Sequence, residues 1–174
     1  MLKKLCSVFI LCLLVLATGM AQNSDKYTLK ILQPGEAKGS TFEDDAIKIS
    51  FPISTHLSFT LTNKTGAPVQ VNWKNASFTD VSGQTHRVIC SDVRYATNVD
   101  AQPVTVVNPN ASFGDTIVPV GFISQEGGEK WLLRPLFFGG IETYLGKSFS
   151  LRLPVRIGAE ERNYLFSFTV ELAN

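Results

Sequence analysis

Two histidines, the cysteine that follows the N-terminal apolar run and a short run of acids are the residues with the means to do chemistry. His86 and Cys90 belong to one stretch, Thr85-His86-Arg87-Val88-Ile89-Cys90. Their spacing puts them on the same side of a strand, but such neighbours are not oriented to pass a proton from thiol to imidazole, so a nucleophile pair is not expected. Val88 shares that side, and Cys90 is expected to point inward with it as an inert thiol. His56 shares strand phase with Ser58 and Thr60 and reads as a surface residue. No Cys/His cluster has metal-ligand spacing, so no metal site is expected. Glu43-Asp44-Asp45 lacks the alternating oxygen ligands and glycine of a calcium loop, and it reads as a solvated charge run. Gly140 to Ser148 is a near-miss for a phosphate-binding loop. It places five residues between the glycines where four are needed, and the next segment alternates as a strand instead of opening a helix. A Gly-x-Ser-x-Gly elbow is also missing. The expectation is a non-enzymatic protein without a cofactor.

Modification signals and aromatics remain. Asn63, Asn75 and Asn110 each begin an Asn-x-Ser/Thr triplet. Asp115-Thr116-Ile117 resembles the Asp-Ser/Thr-aliphatic site at which some bacteria attach O-glycans to exported proteins, which makes Thr116 a candidate glycosylation site. Trp73 keeps phase with Val69 and Val71 and is expected in the core. The segment from Trp131 to Tyr144 follows no strand period and combines Trp131, Phe137, Phe138 and Tyr144 with Gly139 and Gly140. Two readings stand: an exposed binding patch built from these four aromatics, or a plug that folds back over one end of the core.

The elements that must position these residues are strands. Leu57, Phe59 and Leu61 alternate with polar residues. After the turn Asn63–Pro68, Val69, Val71 and Trp73 do the same, so the stretch reads as two antiparallel strands over a core. The turn Asp80–Gln84 leads into a third strand at Thr85–Cys90. Tyr27–Ile31, Ala46–Phe51, Pro103–Val107 and Phe113–Val120 are further strand candidates. Phe149–Ile157 and Leu165–Leu172 make a long C-terminal hairpin, with Pro154 suggesting a sheet edge or a bulge. Frequent turn signals and the lack of a long amphipathic helix predict an all-β fold: one antiparallel β-sandwich of about seven to nine strands over residues 27–174.

At the start, Lys3 and Lys4 precede the apolar run Leu5–Leu16 and the small residues up to Ala21. That layout predicts a signal peptide over residues 1–21, cleaved after Ala21, then a disordered lead-in at 22–26. The apolar run is too short to span a bilayer, and no later run is longer, so stable membrane insertion is not expected. Cys6 and Cys12 would leave with the signal, so Cys90 would have no partner for an internal disulfide. The formal charge is +1, from 16 basic and 15 acidic residues, with no basic cluster, which argues against nucleic acid as a partner.

The run Phe59–Thr65 followed by Val69–Trp73 resembles exported immunoglobulin-like sandwiches of bacteria, in which a strand ends in an Asn-x-Ser/Thr turn and the next carries an inward Trp. The resemblance implies a fold and an exported, periplasmic or extracellular location. It implies no activity. The expected function is protein–protein contact with another envelope or extracellular protein, with carbohydrate or small-ligand binding as the alternative.

Overall fold

The structure, a computed structural model, describes residues 26–127 and 130–173. The expected signal peptide, and all but the last residue of the expected lead-in, lie outside them. The described residues hold thirteen strands and several short 3-10 turns. This exceeds the seven to nine strands expected, because several strands are only three or four residues long and carry too little alternation to be read from sequence.

Eleven strands hydrogen-bond into one continuous sheet. One group of them comprises β1 (Tyr27–Gln33), β5 (Val69–Val71), β6 (Ser77–Thr79), β8 (Thr105–Val107), β12 (Ser148–Ile157) and β13 (Glu160–Leu172). The other comprises β2 (Thr41–Glu43), β3 (Ile47–Ser50), β4 (Leu57–Asn63) and β9 (Ser112–Pro119). All the pairings between strands are antiparallel. β7 (Thr85–Cys90) joins the groups: Thr85–Arg87 pair with β6, and Val88–Cys90 pair with β9. β10 (Ile123–Glu126) and β11 (Lys130–Leu133) form a separate hairpin. This hairpin was not expected, since Trp131–Leu133 was read as free of strand period.

Alternation drives the assembly. Along β4 the odd positions Leu57, Phe59, Leu61 and Asn63 are buried while Thr60 is exposed. Aromatic rings then knit the two groups. Phe42 on β2 meets Tyr164 and Phe166 on β13 edge-on at 5.7 and 5.6 Å, and Phe51, just past β3, meets Phe168 at 4.9 Å. Such pairs add to the area term that dominates core stability.

Three expectations need correction. β4 and β5 do not pair with each other: β4 lies between β3 and β9, and β5 between β12 and β8. The Asn63–Pro68 turn therefore carries the chain from one group to the other. Trp73 is buried as expected, at 1% exposure, but it opens a 3-10 turn and its indole N–H donates to Thr105 Oγ1 at 2.8 Å. Pro154 is buried in an interior strand, not at an edge. Its missing N–H is tolerated because the 3-10 turn at Trp73–Asn75 separates β5 from β6 opposite that position, where the Asn72 amide donates to the Pro154 carbonyl.

Candidate functional site

The sequence candidates for chemistry separate in space. His86 is buried, and its Nε2 lies 3.0 Å from Asp80 Oδ2. The Cys90 thiol donates instead to Asp115 Oδ2 at 3.2 Å. Burial pushes the Cys90 thiol well above the usual range, and the hydrogen bond and charge of Asp115 push it further. The pair expected to be unsuited to proton transfer is thus two separate couples. Cys90 itself is only half-buried, less enclosed than its neighbours Val88 and Ile89.

The acid run is engaged more fully than a solvated run would be. Asp44 caps its own loop by accepting from the Ala46 and Ile47 amides, and it accepts from the Tyr164 hydroxyl at 2.7 Å. Asp45 takes a two-point contact from Arg162, and Glu43 pairs with Lys64 at 2.7 Å. Among the described residues no three His, Cys, Asp or Glu side chains are grouped to hold a metal ion. Gly140 to Ser148 forms a 3-10 turn at Ile141–Tyr144 running into β12. Of the glycosylation candidates, Asn63 is wholly buried, Asn75 and Asn110 are exposed, and Thr116 is half-buried on β9 with its Oγ1 3.5 Å from Ser58 Oγ.

The aromatic segment divides residue by residue. Phe137 is half-buried and packs edge-on against Tyr144 at 5.2 Å and against Phe149 at 6.3 Å. Tyr144 is half-buried with it. Phe138 turns outward and is 65% exposed. Trp131 sits on β11 opposite Gln125 and is half-buried. The backbone that presents Phe138 is held at several points. The Arg134 amide donates to the Phe122 carbonyl and the Leu136 amide to the Thr55 carbonyl, both at 2.8 Å, and the Leu136 side chain is buried in the core. Gly139 and Gly140, with φ of 87° and 105°, then turn the chain in a region that side chains resist.

Phe138 and Tyr144 flank a groove of about 300 Å³. Buried Phe78 and Phe149 line it, and the β6–β7 turn contributes Val81 and Ser82 from the opposite side. Phe122 and Arg134 complete it. The Arg134 guanidinium stacks on the Phe122 ring, 4.1 Å from the centroid. Asp80 also faces the groove, but both its oxygens are taken: Oδ1 accepts from the Ser82 and Gln84 amides and the Ser82 hydroxyl, and Oδ2 meets His86. Burial raises the Asp80 carboxyl, yet the bonds from Ser82, His86 and the two amides outweigh it and hold it at about 2. A larger depression of about 640 Å³ lies beside Phe42 and Tyr164, where Asp44, Glu43 and the Tyr164 hydroxyl are already paired as described.

No family model, curated protein or solved structure matches this chain.

The groove was not legible as a whole. Phe122 carried no assignment in the sequence, Val81 only its place in the Asp80–Gln84 turn, and Arg134 only its place in the Trp131–Tyr144 segment. The one usable signal was Val81, an aliphatic residue in the middle of an Asp-Val-Ser-Gly turn, where water-facing polar residues are the rule.

Proposed function

We propose that the protein is an exported, non-enzymatic domain of immunoglobulin-like β-sandwich type, acting in protein–protein contact in the cell envelope or outside the cell. One observation carries the reading: Phe138 is a large exposed ring on a backbone pinned by Arg134, Leu136 and the Phe137–Tyr144 pair. A ring held this way loses little freedom on docking, and aromatic anchors of this kind dominate interface energetics. The two faces of strands brought together by β7, with apolar rings meeting between them, support the sandwich reading.

The test is cross-linking in the native cells, comparing wild type with Phe138→Ser. Phe138 is the suitable position because Phe137 packs against Tyr144 and Phe149, so replacing Phe137 would disturb the core as well. A stoichiometric partner cross-linked to wild type and lost in the variant, with equal thermal stability, supports the reading. Failure of the wild type to capture any partner counts against it. Carbohydrate or small-ligand binding is the second reading, favoured by the rings of Phe138 and Tyr144 beside a groove. It predicts that a glycan panel gives ligand-detected magnetic resonance signals that Phe138→Ser removes.

A further inference from the structure

The Phe138 groove combines apolar rings with a cation, Arg134, that pairs with no carboxylate among the described residues. Arg134 is exposed and its guanidinium carbon sits over the Phe122 ring, 4.1 Å from the centroid, which holds a group with five N–H donors at the groove. The acid in the lining, Asp80, already accepts four hydrogen bonds or close polar contacts, from Ser82, Gln84 and His86 and none from Arg134. Lys147 adds a second positive charge, its Nζ 5.8 Å from the centre of the Tyr144 ring. Among the described residues no carboxylate forms an ion pair with Arg134 or Lys147. Glu142 is folded back against Gly140. A planar fork of donors is the geometry that matches a carboxylate at two points, and the rings beside it suit an apolar side chain. The volume, about 300 Å³, is at the small end for ligand sites and suits one such residue, not an extended segment.

We propose that this groove receives the C-terminal residue of a protein partner, a large apolar side chain seated between Phe138 and Tyr144 with its terminal carboxylate on Arg134. The inference rests on the protein-contact reading and names the chemistry of the contacting element. A chain end also leaves the groove without having to continue through it.

Short blocked peptides ending in Gly-Gly-Phe provide the probe, as the free acid and as the C-terminal amide, titrated into the full domain and followed by isotope-edited magnetic resonance. The acid is expected to shift resonances of Arg134, Phe138 and Tyr144 and to bind at least about tenfold more tightly than the amide, the scale of one charge-assisted contact. Arg134→Gln should erase the acid–amide difference, and Phe138→Ser should weaken both probes. A Gly-Gly-Gly acid should bind more weakly than the Phe peptide. Equal binding of acid and amide, or no binding of either to a correctly folded wild type, overturns the proposal. The broader reading fails separately: it falls if the cross-linking experiment captures no partner, and it stands if a partner is captured through Phe138 while these peptides do not bind.

Discussion

Asn63 offers the sharpest test of how this chain is held together. It ends β4 at the point where the backbone leaves one group of strands for the other, and its side chain is wholly buried. The amide nitrogen donates to the Ala67 carbonyl at 2.8 Å and to the Val107 carbonyl at 2.9 Å. The amide oxygen accepts from the Thr65 backbone N–H and from its hydroxyl, both at 2.8 Å. One side chain thus closes the crossover turn on itself and ties it to β8.

In Asn63→Ala the losses are unequal. The Ala67 carbonyl gains the single proton of the Thr65 hydroxyl, which it shares with Asn63 Oδ1 in the wild type, and the Thr65 amide lies in a partly open turn where water can replace the bond. The contact of Asn63 with the Val107 carbonyl, in contrast, is buried, so its loss is hard for water to make good. Counting roughly 1–3 kcal/mol for that desolvated carbonyl and about 1 kcal/mol for the remaining bonds, the variant should lose about 2–4 kcal/mol. Equilibrium unfolding in urea measures this as a lower midpoint at unchanged slope. Asn63→Asp keeps the acceptor, loses both donors and sets a carboxylate against two carbonyls. Its folded-state pKa should therefore be raised. The added penalty is then complete at neutral pH and shrinks as pH falls through the raised folded value towards the ordinary carboxyl value of about 3.9. Asn75→Ala, in an exposed triplet of the same kind, should stay within about 0.5 kcal/mol of wild type. A loss below about 0.5 kcal/mol for Asn63→Ala would refute the clamp.

Three more predictions follow from particular contacts. A methyl at Gly121 would sit 2.3 Å from His86 Nδ1 and 2.7 Å from Cε1, against a ring held by Asp80 and Phe122, so Gly121→Ala should cost about 1–3 kcal/mol in a melt and less in a His86→Ala background. Cys90, its thiol raised and bonded to Asp115, should alkylate slowly in the folded protein and rapidly in denaturant, read at the Cys90 peptide by mass spectrometry; fast native labelling would contradict the raised thiol. Asp80 is depressed to about 2, so its stabilising contribution is complete above the ordinary value near 3.8 and lost as pH falls towards 2. Asp80→Asn should flatten the acid limb of the stability profile in that window, and an unchanged limb would show that the Asp80 contacts add no net stability.

Where strands are long and half-buried, the sequence states the fold almost directly. The C-terminal hairpin was readable because its apolar residues alternate, buried from Phe149 to Val155 on β12 and from Tyr164 to Val170 on β13, a pattern that survives the additional burial of Pro154 and Thr169. β4 was readable for the same reason, but its partner was not. Alternation tells which face of a strand is apolar and carries no information about which strand lies beside it. That is why β4 and β5, consecutive and joined by the five residues Lys64–Pro68, read as a natural antiparallel pair. The decisive feature is Asn63, whose buried amide needs a carbonyl from the far group. A buried Asn with four partners looks in sequence like any turn asparagine.

The groove eluded the sequence for a related reason. Phe122, Arg134, Phe138 and Tyr144 belong to short turns and to the ends of strands, where no period assigns a residue inward or outward. Their placement follows from tertiary anchors: the Thr55 and Phe122 carbonyls that hold the backbone on either side of Pro135, and the core position of Leu136. Those anchors decide that Phe137 plugs while Phe138, one residue on, faces water. Of the four aromatics, Phe138 alone is exposed, while Trp131, Phe137 and Tyr144 are half-buried. The plug supplies the rigidity that a useful exposed ring requires, so the buried half of the segment is what would make the exposed half an effective contact.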